Sequence, residues 1–217
     1  MRPQICGVIA EDEPRAIAAA EPLVDLFELR IDLVGQTWPA VARNLTKPWI
    51  ATNRPRAEGG RWNGGETDRQ SELLKALSLG AAIVDVELAA PGLDILVGAV
   101  KKKARCLVSH HDFAATPPLE ELEKIIERQI AAGADICKVV TAAASLDDNF
   151  KLLKLYAKFP GRKIVAFAMG LAGVLSRVLA PLAGAEFAYA SLLDGKESAP
   201  GQLSAARFDE IYRLLQI

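Results

Sequence analysis

The chain has 217 residues, 51% of them hydrophobic and 24% charged, which suits one or two globular domains with ample length for a core. Lys and Arg total 26 against 27 Asp and Glu, and the net charge of −1 gives no electrostatic footprint for nucleic acid or an anionic membrane. No apolar run approaches the ~20 residues of a spanning helix, and Met1-Arg2-Pro3-Gln4 lacks the apolar stretch of a secretion signal, so a cytoplasmic protein is expected.

Eight short apolar segments predict strands at 5–10, 26–32, 49–53, 83–88, 106–111, 136–140, 164–169 and 187–192. Helical periodicity lies between them. It is clearest over 117–132, where Leu122, Ile125, Ile126, Gln129 and Ile130 share a side, two prolines open the segment and Gly133 closes it. The stretch 68–79 ends at Gly80 in the same way. Strands alternating with helices, with no break in composition, predict one parallel α/β unit over 1–217, and a closed (β/α)8 TIM barrel fits the strand count. A doubly wound open sheet is the competing topology, weakened because no GxGxxG follows the first strand. Cys6, Cys106 and Cys137 all fall in strand-like segments without CxxC spacing. That predicts buried, reduced thiols and argues against zinc or a disulfide framework.

The strands carry charge that a plain parallel-sheet core would not. Period two puts Glu28, Arg30 and Asp32 on one face of the second strand, and Asp85 and Glu87 on one face of the fourth. Such groups must be paired or face a cleft. In a barrel the cleft lies at the carboxyl ends of the strands, where these residues fall. Lys138 stands inside the apolar run Ala134-Asp135-Ile136-Cys137-Lys138-Val139-Val140. A lysine there either loses its water and, as a free amine, becomes a nucleophile able to form a Schiff base, or it snorkels outward or pairs with a carboxylate. Two long polar loops follow the third and eighth strands. The first, 54–66, holds four glycines; the second, 194–202, has the length and polarity of a lid.

Taken in order, the pieces are Glu28-Leu29-Arg30-Ile31-Asp32, Arg54 with Glu58-Gly59-Gly60, Ser109-His110-His111-Asp112-Phe113, the Lys138 segment, Met169 with Gly173-Val174-Leu175-Ser176-Arg177, and Ser198-Ala199-Pro200-Gly201-Gln202. Each is short, but all six sit at a strand end or loop in the order found in type I 3-dehydroquinate dehydratases, a family this chain resembles over most of its length. The resemblance implies a (β/α)8 barrel that converts 3-dehydroquinate to 3-dehydroshikimate and water, a step of aromatic amino acid biosynthesis. Lys138 matches the lysine that forms an imine with the C3 ketone. His111, immediately before Asp112-Phe113, matches the acid/base histidine, and Glu58 matches its partner. Period two lets only one of His110 and His111 face the site. Arg177 matches the ligand of the substrate carboxylate, a role suited to bidentate bonding. By the same resemblance Glu28, Arg30 and Arg54 bind hydroxyls and balance charge, with Arg30 or Arg54 near Lys138 favouring the free amine. Met169 and Phe167 form an apolar wall, and Ser198 and Gln202 close over the substrate. No metal or organic cofactor is implied; a homodimer is.

Gly170-Leu171-Ala172 stands where bacterial members carry a polar segment, and the first strand ends in Ile9-Ala10 where some carry a small hydroxyl residue. The chain is short for the family, so an amino-terminal extension closing the barrel bottom is expected to be missing. Two other readings remain. One is a different Schiff-base lyase of the class I aldolase type, although the loops after strands seven and eight carry Arg177 and 198–202 in place of a glycine-rich phosphate site. The other is a barrel kept as a metabolite-binding module, which predicts the loss of Lys138, His111 or Glu58.

Overall fold

The structure, a computed structural model, describes residues 2–217. Nine strands are formed among them: β1 (Ile5–Ile9), β2 (Leu26–Arg30), β3 (Trp49–Thr52), β4 (Ile83–Glu87), β5 (Arg105–Asp112), β6 (Ile136–Ala142), β7 (Ile164–Met169), β8 (Ala188–Ser191) and β9 (Leu203–Ser204). Between and after them run α1 (Pro14–Ala20), α2 (Ile31–Val34), α3 (Trp38–Arg43), α4 (Glu66–Ser78), α5 (Leu93–Val100), α6 (Leu119–Ala131), α7 (Asp147–Lys158), α8 (Val174–Ala183) and α9 (Ala205–Leu214). Helix α6 shows how the local sequence sets an element. Pro118 precedes it, Glu120 and Glu121 complement the dipole in its first turn, and Gly133 at φ 91° turns the chain away after the last. Its Leu122, Ile125, Ile126 and Gln129 are buried, as the periodicity predicts.

All strand pairs are parallel, in the order β7-β6-β5-β4-β3-β2-β1-β8-β9. The sheet curls on itself. Val165, Phe167 and Met169 of β7 share an apolar cluster with Tyr189 of β8, neighbouring Phe187, and inward residues of β1 to β6. A larger cluster fills the space between the sheet and the helices. Among the described residues no ladder joins β7 to β8. A single backbone bond spans that seam near the strand starts, with Glu186 N donating to Ile164 O at 2.9 Å. The observed architecture is therefore a curled parallel α/β sheet with its ladder open at one seam.

Most strand ends shift by a residue or two, β6 running on to Ala142, and three differences bear on the site. Strand β2 stops at Arg30, and Asp32 lies in the short helix α2, where it receives Arg30 in a bidentate pair at 2.8–2.9 Å. Strand β5 runs on through His111 to Asp112. The two-residue β9, just after Gln202, is too short to carry a periodic signal and went unanticipated. The three cysteines are free and buried. Among the described residues no helix is long and apolar enough to cross a membrane.

Candidate active site

Inside the curled sheet, polarity rises along the strands. The lowest inward positions are apolar: Cys6, Leu26, Ile50, Ile83, Leu107, Ile136, Val165 and Phe187. Two residues further, the even strands present Glu28, Asp85, Lys138 and Tyr189. Side chains from alternate strands meeting in one layer are the packing unit of such interiors. The register explains the convergence. Asp85 lies level with Leu107 and Leu107 with Ile136, so Lys138 stands one inward position beyond that row, and Tyr189 is level with Cys6. Two residues beyond the layer come Arg30, Glu87 and Val140, beside His111 of β5.

Arg54, just past the end of β3, braces three strands. Nη2 donates to Asp85 Oδ2 at 2.5 Å, and Nη1 donates to Glu87 Oε1 and Ser109 Oγ, both at 2.7 Å. Ser109 Oγ donates in turn to Asp85 Oδ1 at 2.6 Å. Arg69, on α4 and only 1% exposed, reaches Glu87 Oε2 at 2.7 Å from behind. Burial alone would raise the Asp85 pKa, but Arg54 and then Lys138 outweigh it and hold that carboxyl well below its ordinary range. Removing one partner from a buried cluster of this kind costs about 3–5 kcal/mol.

Lys138 is 5% exposed. Its Nζ lies 3.0 Å from Asp85 Oδ2, 3.6 Å from Glu28 Oε1 and 4.4 Å above the ring centroid of Tyr189. Thr52 Oγ1 donates to Glu28 Oε1 at 2.9 Å and fixes that carboxylate. The sequence reading put Arg30 or Arg54 beside the amine. Instead the carboxylates sit against it, Arg54 stands beyond Asp85, and Arg30 turns to Asp32. The amine is thus both buried in its strand and paired, which joins the two alternatives the sequence left open.

His111 Nδ1 lies 2.8 Å from Glu58 Oε2, and Phe113 stacks on the imidazole with centroids 6.1 Å apart. Burial, then Arg54 and Lys138, hold His111 well below its usual range. Burial pushes the Glu58 carboxyl up to about 7, with Arg54 pulling the other way and Glu87 adding to the rise. An ionised Glu58 takes the Nδ1 proton as its hydrogen bond and leaves Nε2 as the basic nitrogen. Glu58 is placed by a short 3₁₀ turn, Arg56–Glu58, after which the chain folds tightly back. A Cβ on Gly60 would stand 1.9 Å from the Arg54 carbonyl oxygen, so no larger residue fits there. His110, its neighbour in β5, does not reach the cavity.

Arg177 sits in the first turn of α8, 4% exposed, with Cζ 4.4 Å from the ring centroid of Phe167. Nη2 donates to Pro200 O at a long 3.3 Å, and Nε has no hydrogen-bond partner among the described residues. No carboxylate among them reaches the guanidinium, and burial pushes it down to about 10. The loop 194–202 lies over this side. Gly170 N donates to Pro200 O at 3.1 Å, and both Ser198 N and Ser198 Oγ donate to Gln202 Oε1, at 2.7 and 3.0 Å.

One cavity brings together the residues given a part in the site from the sequence: Glu28, Arg30, Arg54, Glu58, His111, Lys138, Met169, Arg177, Ser198 and Gln202, with Phe167 of the expected apolar wall. It also takes in Tyr189 and Phe113. Sequence reasoning gave no part to Tyr189, Ser109 or Arg69, and counted Asp32, Asp85 and Glu87 among charges gathered at the cleft; none of those three lines the cavity, and each is paired with an arginine, Arg30, Arg54 or Arg69. The unused signal for Tyr189 was its position, two residues into a predicted strand, the same inward phase as Phe187. The arrangement offers an amine, a carboxylate-backed imidazole and a guanidinium without a carboxylate partner in one cavity. That set can form an imine, move a proton and hold an anion.

A family model described as Type I 3-dehydroquinase matches residues 6–217. The 3-dehydroquinate dehydratase of Dehalococcoides mccartyi is 44% identical over 211 residues, covering 97% of this chain and 95% of that protein. The one from Methanocaldococcus jannaschii is 35% identical over 221 residues, covering 98% and 99%. The crystal structure of 3-dehydroquinate dehydratase from Geobacillus kaustophilus matches with a TM-score of 0.89 at 25% identity, over 100% of this chain and 92% of that one. A type I enzyme from Clostridium difficile, solved with covalent modified comenic acid, gives 0.86 at 25% identity, over 99% and 92%. With its fold, its lysine-centred cavity and these relatives agreeing along almost its whole length, the chain belongs to the type I 3-dehydroquinase family.

Proposed function

We propose that this chain dehydrates 3-dehydroquinate to 3-dehydroshikimate through an imine on Lys138. The observation that carries the reading is the meeting, in one cavity, of Lys138, the His111–Glu58 pair and an Arg177 that has no carboxylate of its own. The Lys138 ammonium passes a proton to the C3 ketone oxygen as its nitrogen adds to the carbon, and a second nitrogen proton follows to make that oxygen leave as water. Loss of water leaves a protonated imine, which draws electrons from the neighbouring carbon. His111 Nε2 takes the C2 proton, with Glu58 steadying the charge that forms on the ring, and then returns a proton to the departing C1 hydroxyl. Arg177 receives the substrate carboxylate, Glu28, Arg30 and Arg54 its hydroxyls, and Met169 packs its apolar face. Ser198 and Gln202 exchange their mutual bonds for bonds to substrate as the loop settles.

By the same reading the whole chain, 1–217, is one catalytic domain. Its curled sheet acts as a (β/α)8 barrel, supported by the inward cluster that β7 shares with β8 across the open seam. It works in the cytoplasm as a homodimer, and exposed Phe150 and Leu182 offer apolar surface on the outer helices for a second copy.

Borohydride added with 3-dehydroquinate is expected to leave a reduced adduct on the peptide carrying Lys138, read by mass, and Lys138→Ala to lose both adduct and turnover while staying folded. An active enzyme without adduct refutes the imine. Turnover of aldol substrates in place of 3-dehydroquinate would favour the aldolase-type lyase.

A further inference from the structure

The layer that holds Lys138 contains an acid to which the mechanism above assigns no task. Asp85 is fully buried. Its Oδ2 stands 3.0 Å from Nζ and accepts from Arg54, while Oδ1 accepts from Ser109. Bonded on both oxygens, this carboxylate cannot swing away when the lysine changes state. The ring face of Tyr189 lies 4.4 Å from the same nitrogen. Glu28 is farther than Asp85, at 3.6 Å, and partly engaged by Thr52. The charged or titratable groups facing Nζ are therefore Asp85 of β4, Glu28 of β2 and Tyr189 of β8. Cys6, His111 and Glu58 stand close enough to feel its charge, and Arg54 stands across Asp85 from it.

We propose that Asp85, assisted by the ring face of Tyr189, is the counter-ion that keeps the Lys138 imine protonated during the dehydration. The proposal rests on Lys138 forming that imine. As an ammonium meets a ketone, the C–N bond forms and the C=O bond breaks. Two of the three nitrogen protons leave on the oxygen as water, and the third stays on the iminium. Only with that third proton is the nitrogen a strong electron sink. When the C2 proton goes to His111, the electron pair moves onto nitrogen and its positive charge vanishes. When C1 loses its hydroxyl, the charge returns. A carboxylate fixed by Arg54 and Ser109 meets both states without rearranging, which is how preorganised charge lowers a barrier. Asp85 is a positioning residue by this account, since it acts through the nitrogen of Lys138.

The test is trapping with cyanoborohydride, which reduces the protonated imine, from acid to alkaline pH, in wild type and Asp85→Asn, read by intact mass beside kcat. Wild type and variant are expected to form equal adduct at acid pH. The variant's yield and kcat should then fall about one to three pH units lower, the usual effect of losing an opposite charge within 4–6 Å. Coincident alkaline limbs overturn the proposal. If Asp85→Asn gives no adduct at any pH, Tyr189→Leu is read the same way: a limb moved downward supports the cage, and a coincident one overturns it. A wild-type enzyme that turns over substrate without ever yielding adduct removes the imine itself, and the counter-ion role with it.

Discussion

Arg177→Met separates what the site costs the fold from what it does for the reaction. Arg177 is 4% exposed and has no carboxylate partner among the described residues. Burial pushes its guanidinium from the ordinary 12.5 down to about 10. One pKa unit corresponds to 1.36 kcal/mol, so holding this charge inside the free enzyme costs up to about 3 kcal/mol. The sign follows from linkage. A cation whose folded pKa lies below its unfolded value destabilises the fold in full at every pH below the folded value, and the penalty fades only as pH rises through about 10. Methionine keeps most of the volume and the contact with the Phe167 ring while dropping the charge. At neutral pH the free variant is expected to gain about 1–3 kcal/mol, or roughly 2–10 °C in Tm. Its kcat/KM should fall about 10²–10⁴-fold, because charge-assisted bonds to the substrate carboxylate are each worth about 1.5–3 kcal/mol. Thermal unfolding without ligand, beside steady-state kinetics, checks both halves. A free variant that melts lower than wild type refutes the account of Arg177 as a charge held waiting for an anion.

Gly60→Ala would place a Cβ 1.9 Å from the Arg54 carbonyl oxygen, so the turn carrying Glu58 must open by about 1 Å. A shift of that size costs about 10²-fold in rate, and a double variant with Glu58→Gln should lose no more than Glu58→Gln alone; wild-type kcat in Gly60→Ala would sink this. With Glu58 pushed up to about 7, falling pH protonates the His111–Glu58 pair and removes the general base, so kcat should show an acid limb near pH 7. Glu58→Gln should lower the plateau about 10²-fold and move that limb to lower pH, as no carboxylate remains to titrate; an unmoved limb tells against the pair. His111→Ala should still yield the borohydride adduct while kcat drops about 10²–10⁴-fold, and rapid turnover by it would take His111 out of its role.

The eight strands were legible because each has an apolar stretch between turn residues, as a sheet covered on both faces requires, even where a charge interrupts it. The ninth strand was not, since two residues carry no period. Lys138 and Asp85 could be read as odd charges inside strands, but not as partners. Their pairing across 53 residues depends on the stagger of β4, β5 and β6, which no local pattern encodes. Glu58 could be tied to His111 only through family likeness, because a loop carboxylate has no fixed direction until the chain folds back at Gly60. Arg69 was invisible for a different reason. On a helix that also carries Glu66, Asp68, Glu72 and Lys75 it reads as solvated surface, yet its side chain reaches inward to Glu87. Asp32 was misassigned because period two was carried one step past the true end of β2.

The alternation of β4 carries a consequence for how this chain can vary. Asp85 and Glu87 face Arg54 only while β4 keeps its pairing with β3 and β5. Sliding that strand by one residue would rotate both carboxylates outward among the helices and bring Val84 and Val86 in. Arg54 would then lose both of its nearest buried carboxylates and Lys138 the nearer of its two, leaving Glu58 and Glu28 as their remaining anions. Misregistered chains are thereby penalised electrostatically as well as by packing, so the residues gathered for chemistry also proofread the assembly of the sheet.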